Sequence, residues 1–157
     1  MHPDLYRLLI ALGIGAIIGA EREYRSKSAG LRTMIMVSLS SCLFTIMSIK
    51  IGLDSQDRIA ANILTGLGFV GAGVIFKDEN RISGITTATT IWMTAALGMA
   101  AGAGYEWLSL FATFIVLIVL IFLIYVQEGI ETLSQARTYR IICPYQRKTL
   151  ELSLIHI

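Results

Sequence analysis

Charge is scarce in this sequence. Only 15% of its 157 residues are Asp, Glu, Lys or Arg, whereas an ordinary soluble domain carries roughly 25%. With 55% apolar residues and a mean hydropathy of +0.68, a soluble fold would have too little polar surface to cover its core. The formal net charge is +2 and no basic run exists, so a nucleic-acid partner is not expected. Cysteine is equally sparse. Cys42 and Cys143 form neither a disulfide framework nor a metal-ligand spacing, and Cys42, inside an apolar run, reads as a small buried hydrophobe. The two histidines, His2 and His156, lie at opposite ends of the chain and give no metal site or catalytic pair.

Ionisable groups are missing from the longest apolar stretches. From Ile59 to Phe76, from Ile82 to Tyr105 and through Trp107–Val126, tyrosine is the only titratable side chain. Ion-coupled transporters keep ionisable groups at membrane depth, and magnesium is held by oxygen ligands, commonly carboxylates. Autonomous cation transport is therefore disfavoured. No Ser/His/Asp or Cys/His arrangement is available, so the chain is not expected to be an enzyme, and no cofactor is expected.

What the sequence has is apolar runs. Five stand out: Leu5–Ala20, Met34–Ile49, Ile59–Phe76, Ile82–Gly104 and Trp107–Val126. A spanning helix needs roughly 20 such residues, so an all-α membrane protein of about five spans is expected. The first two runs are short and call for extension by their flanks. Arg7, inside the first, can snorkel to the interface. That run is not a cleaved signal, because positive charge follows it rather than preceding it. Lys and Arg in the connections set the orientation. Ten fall on one side (Arg22, Arg25, Lys27, Arg32, Lys77, Arg81, Arg137, Arg140, Arg147 and Lys148) and three on the other (Arg7, Lys50 and Arg58). The expected topology has the N-terminus outside and the C-terminus in the cytoplasm, with the lipid bilayer as the first partner.

After Val126 the composition changes. Residues 1–126 read as a transmembrane domain, and 127–151 as a cytoplasmic linker helix followed by the first strand of a soluble domain at Arg140–Tyr145. Residues 152–157, Leu-Ser-Leu-Ile-His-Ile, can be encoded by a transposase mosaic end used in sequencing libraries, so they are expected to be translated adapter in a truncated chain.

Within the runs, Gly66-Leu67-Gly68-Phe69-Val70-Gly71 matches GxGxxG literally but lies inside an apolar span, without the strand, helix start and acidic residue that dinucleotide binding requires. Glycines in a span let backbones approach closely, or break the helix locally. The packing logic covers Gly15 and Gly19, then Gly66, Gly68, Gly71 and Gly73. It also covers a ridge at a spacing of four, Thr86, Thr90, Thr94, Gly98 and Gly102. Helix packing is the simpler reading of that ridge and a pore lining the alternative, with several copies supplying the wall. Asn62 and Thr65 are polar groups one turn apart in the third run, suited to interhelical bonding or ligand contact. Glu21 could pair with Arg22 or Arg32 at the interface, and Asp57 with Arg58 reads as interfacial anchoring.

Taken in order, these segments resemble the MgtC/SapB family of bacterial inner-membrane proteins. The carrying residues are Gly15-x-x-x-Gly19-x-Glu21-Arg22, Ala29-Gly30-Leu31-Arg32-Thr33, Asp57-Arg58-Ile59-Ala60, Gly66-x-Gly68-Phe69-Val70-Gly71-Ala72-Gly73, Gly84-Ile85-Thr86-Thr87-Ala88-Thr89-Thr90-Ile91-Trp92 and Gly98-x-x-x-Gly102-x-Gly104. The resemblance covers Leu5 to Val126. It implies a multi-pass domain of the cytoplasmic (inner) membrane, often followed by an ACT-like domain, and a role in growth or survival under low magnesium or acid stress. The implied mode is regulation by contact with other membrane proteins, with homo-oligomers possible and a divalent-cation transporter or channel component as the alternative. Members are often labelled as magnesium-transport ATPase protein C, yet this chain has no Walker motif. Glu21, Arg22, Arg32, Thr33, Asp57, Arg58, Thr87, Thr90 and Trp92 carry over as motif positions, and Asn62 joins them as a candidate. Thr86 and Met93 stand where virulence-linked members carry Asn and Cys, which favours the broader SapB-like group.

Overall fold

The computed structural model describes residues 3–51, 56–78 and 81–133, with the backbone alone at 56–59, 78, 81 and 127–133. The described residues form five helices and one hairpin: α1 Pro3–Tyr24, α2 Leu31–Ile51, α3 Gln56–Gly73, β1 Phe76–Asp78, β2 Arg81–Ser83, α4 Ile85–Gly102 and α5 Glu106–Leu133. Among the described residues three helical segments are long and apolar enough to cross a membrane: Pro3–Tyr24, Leu31–Ile51 and Glu106–Val126. Two compact units are present, residues 1–121 and 122–157, and the described part of the second is the end of α5.

Flanking polar residues lengthen the first two apolar runs into helices of 22 and 21 residues. The third and fourth runs need correction. Their inner ends, around Phe76 and Ile82, belong to an antiparallel hairpin that pairs Phe76 with Ser83, Lys77 with Ile82 and Asp78 with Arg81. Hydropathy alone merged Phe76 and Ile82 with the helices, but glycines at 73 and 84 mark the true ends. Gly84 has φ +90°, a conformation only glycine adopts without strain. A side chain there would also run into the Val74 carbonyl. The expected strand at Arg140–Tyr145 and the segment after it lie outside the described residues.

The core of the first unit is the contact of α1, α2 and α4. Gly15 and Gly19 of α1 lie so close to α2 that an added Cβ would come within 2.7 Å of Ile35 Cα and 2.8 Å of Leu31 Cα. Further along α2, a Cβ at Gly98 would meet the Ser38 carbonyl, and one at Gly102 would stand 2.6 Å from the Cys42 carbonyl. Ile14, Ile18, Met34, Ile91, Leu97, Val116 and Leu120 fill the spaces between the helices. Two buried hydroxyls bond backbone across helices: Ser38 donates to the Ala11 carbonyl at 2.7 Å and Ser109 to the Leu97 carbonyl at 2.8 Å. Helix α3 touches α4 more lightly, with Gly71 in ordinary contact with Ala88.

Candidate functional site

The loops gather charged groups at the two ends of the bundle. At one end, Asp4 of α1 pairs with Lys50 of α2. Beside them Arg7 donates through Nε to Glu106 Oε1 at 3.3 Å and through Nη1 to the Gly102 carbonyl at 3.3 Å. Arg7 thus covers the C-terminus of α4 and holds Glu106 in the first turn of α5, where the helix dipole favours a carboxylate. Gly104, at φ +91°, makes room, since a Cβ there would stand 2.6 Å from Arg7 Nη2. Sequence reasoning treated Arg7 as a snorkelling side chain and overlooked Glu106. The available signal was topological, because the N-terminus and the even-numbered connections of an up-and-down bundle lie at the same end.

The opposite end holds Glu21 and Arg22. Arg22 is 1% exposed, the largest fully buried side chain described. Its Nε–H donates to Glu21 Oε2 at 2.5 Å, while Arg25 Nε–H donates to Glu21 Oε1 at 2.5 Å. Glu21 therefore bridges Arg22 and Arg25, and Arg32 stands exposed on the first turn of α2. Thr33 beside it is partly buried. Glu23, in the last turn of α1, caps α2 by accepting the Leu31 N–H at 3.0 Å, with its carboxylate lying over Gly30. Asp57 and Arg58 fall in the first turn of α3, and their side chains lie outside the described residues.

The same end carries a cleft of about 480 Å³ between the α1–α2 loop, the hairpin and the start of α4. Lys27, Ile82, Ser83, Gly84, Ile85, Thr86 and Thr87 line it. No side chain caps α4. Further along that helix, Thr90 is buried and its hydroxyl donates to the Thr86 carbonyl at 2.7 Å. Thr94 likewise bonds the Thr90 carbonyl and touches Met34 Sδ at 3.6 Å. Trp92 is half exposed on another face. Within one chain Thr90 and Thr94 of the ridge are buried and their hydroxyls turn back onto their own helix, while Thr86 is exposed at the cleft.

A second cleft, of about 430 Å³, opens between α2 and α3. Ser40, Ser41, Phe44, Asn62, Ile63, Gly66 and Leu67 line it. Asn62 is exposed, as is Thr65, whose hydroxyl bonds the Ala61 carbonyl at 3.0 Å. An added Cβ at Gly66, Gly68 or Gly73 would meet nothing within 4 Å. These three glycines therefore mediate no close helix approach within the described chain. Among the described residues no group of three His, Cys, Asp or Glu side chains could hold a metal ion.

The MgtC family model matches residues 8–128, which contain both clefts and the Glu21–Arg22 pair. Protein MgtC of Salmonella typhimurium (strain LT2) is 43% identical over 117 residues, covering 74% of this chain and 51% of that protein. Protein SapB of Bacillus subtilis (strain 168) is 45% identical over 117 residues, 67% of this chain and 50% of that one. YhiD of Escherichia coli (strain K12), whose name proposes a magnesium transporter, is 43% identical over 123 residues, 72% of this chain and 56% of that one. The chain thus spans about half the length of the curated relatives it matches. No solved structure matches it. By the family match and these identities, the chain belongs to the MgtC family.

Proposed function

We propose that this chain is a non-enzymatic, five-span protein of the bacterial cytoplasmic membrane, with its N-terminus outside, that serves magnesium homeostasis or adaptation to acid and low magnesium by contacting other membrane proteins. The observation that carries this reading is the face of α3. Asn62, an exposed amide, and Gly66 line the α2–α3 cleft, and the same helix carries exposed Thr65 and two more glycines with open space beside them, Gly68 and Gly73. In hydrocarbon an amide without a partner is costly, and small residues beside polar ones are how spanning helices associate. Helices α3 and α4 have 18 residues each; at 1.5 Å per residue each is about 27 Å long, close to the roughly 30 Å hydrocarbon thickness. Charge placement supports the orientation, since Arg22, Arg25, Lys27 and Arg32 share one end. The magnesium connection rests on the family and on the name of YhiD.

Photo-crosslinking from position 69 of the full-length protein in intact cells tests this reading. Phe69 is 85% exposed on α3, and position 114 on α5 serves as the control. A discrete protein adduct from position 69 alone is expected. Lipid adducts only, from both positions, would remove the reading's support.

The name of YhiD favours a second reading, a divalent-cation transport component. Thr90 is buried against the bundle, so a pathway along the threonine ridge would require α2 and α4 to separate. Ser40, Asn62 and Thr65 would be the better lining. Magnesium flux into proteoliposomes carrying the full-length protein, lost on Asn62→Leu, would establish transport. No flux from folded protein would leave the regulator.

A further inference from the structure

The cleft at the start of α4 carries a chemistry that partner contact does not use. Its floor is the N-terminus of an 18-residue helix. The first N–H groups of a helix have no intrahelical partner, and the dipole makes that end attractive to anions. Here the N-cap is Gly84, which has no side chain to satisfy them. Thr87, at the third helical position, is 3% exposed and lines the cleft, yet its hydroxyl makes no hydrogen bond among the described residues. Among the described residues no side-chain polar atom sealed from solvent lacks a partner, so that hydroxyl keeps access to solvent in a residue that lines the cleft. Ser83 and Thr86 supply two more hydroxyl-bearing residues to the lining. Lys27, from the α1–α2 loop, supplies a positive charge, and among the described side chains no carboxylate lines the cleft. The nearest carboxylates on the α1–α2 side are occupied elsewhere, Glu21 by two arginines and Glu23 by the Leu31 N–H.

We propose that this cleft binds a phosphate oxyanion, held by the α4 N-terminal N–H groups and the Thr87 hydroxyl and neutralised by Lys27. Hydroxyl and backbone donors with a single lysine suit a singly or doubly charged phosphate. The position at the end of the bundle admits two sources, the headgroup of an anionic phospholipid and free phosphate in the aqueous phase.

The test uses full-length protein in maltoside micelles, which contain no phosphate. Native mass spectrometry counts bound phosphatidylglycerol, and thermal unfolding with millimolar inorganic phosphate reads the soluble source. Lys27→Gln and Thr87→Val are compared with wild type, and Lys50→Gln, at the other end, controls for loss of one charge. The expected result is binding of one of the two probes, weakened about tenfold by either Lys27→Gln or Thr87→Val and unchanged by Lys50→Gln. Phosphatidylglycerol retention alone identifies the headgroup, and a phosphate-dependent rise in melting temperature identifies the free ion. Thr87→Ser keeps the hydroxyl and is expected to keep binding, which separates a lost donor from a disturbed fold. Binding of neither probe, or binding equally strong in both variants, overturns the proposal.

Discussion

Glycines inside apolar helices do opposite things in two parts of this bundle. In α1 and α4 they bring backbones together: Gly15 and Gly19 lie against the first half of α2, and Gly98 and Gly102 lie against it further along. In α3, Gly66, Gly68 and Gly73 face open space. A glycine in a spanning helix is therefore an opportunity for close approach, and the rotation of its helix decides whether the chain itself takes it. The first arrangement is a closed scaffold. The second leaves a small, polar face free beside the α2–α3 cleft.

This contrast can be broken by substitution, and the expected effects fall in a clear order. Arg22→Ala, at the base of α1, is expected to cost the most, about 3 kcal/mol, because it removes one of two partners from the largely buried Glu21. Denaturation in mixed micelles would measure it, and an unchanged midpoint would mean that Arg25 alone holds the carboxylate. Gly98→Ala comes next. Its Cβ collides with the backbone of Ser38, so a loss of about 1–3 kcal/mol is expected. Ser38→Ala is milder, about 1 kcal/mol, since one buried hydrogen bond to the Ala11 carbonyl disappears. Gly68→Ala is the sharpest counterpart. Nothing in the described chain opposes it, and alanine favours helix by about 0.5–1 kcal/mol, so the isolated protein is expected to become slightly more stable. If the same variant also loses the adduct from position 69 in cells, the open face of α3 is a partner surface. Were Gly68→Ala as damaging as Gly98→Ala in the purified protein, the two regions would not differ as described.

Some of the site was readable before the fold was known. Glu21 and Arg22 stood out as a pair at a span's end, though arginine was expected to sit at an interface rather than to be 1% exposed. Burial of Arg22 depends on Glu21 and on how the α1–α2 turn closes over it, which no local pattern reports. Asn62 was conspicuous as an amide in an apolar run, and the structure sets it at a cleft. Thr90 was a candidate pore residue, and the structure turns it inward against its own helix carbonyl. Arg7 and Glu106 were missed as a pair because 99 positions separate them. Lys27 was counted only as positive charge, with no hint that the hairpin would lie beside it.

The sequence by itself determined that the chain is helical and apolar enough for a membrane, and to which family it belongs. Those properties are carried by composition and by motifs in order, and hydropathy sums along a chain whatever the chain's path. Only the tertiary structure decided which glycines are covered, which arginine is buried, where the third helix stops and the hairpin begins, and that Lys27 and Thr87 line one cleft. Each of these depends on the rotation of a helix about its axis or on residues far apart in sequence meeting at one end of the bundle, and a one-dimensional pattern contains neither.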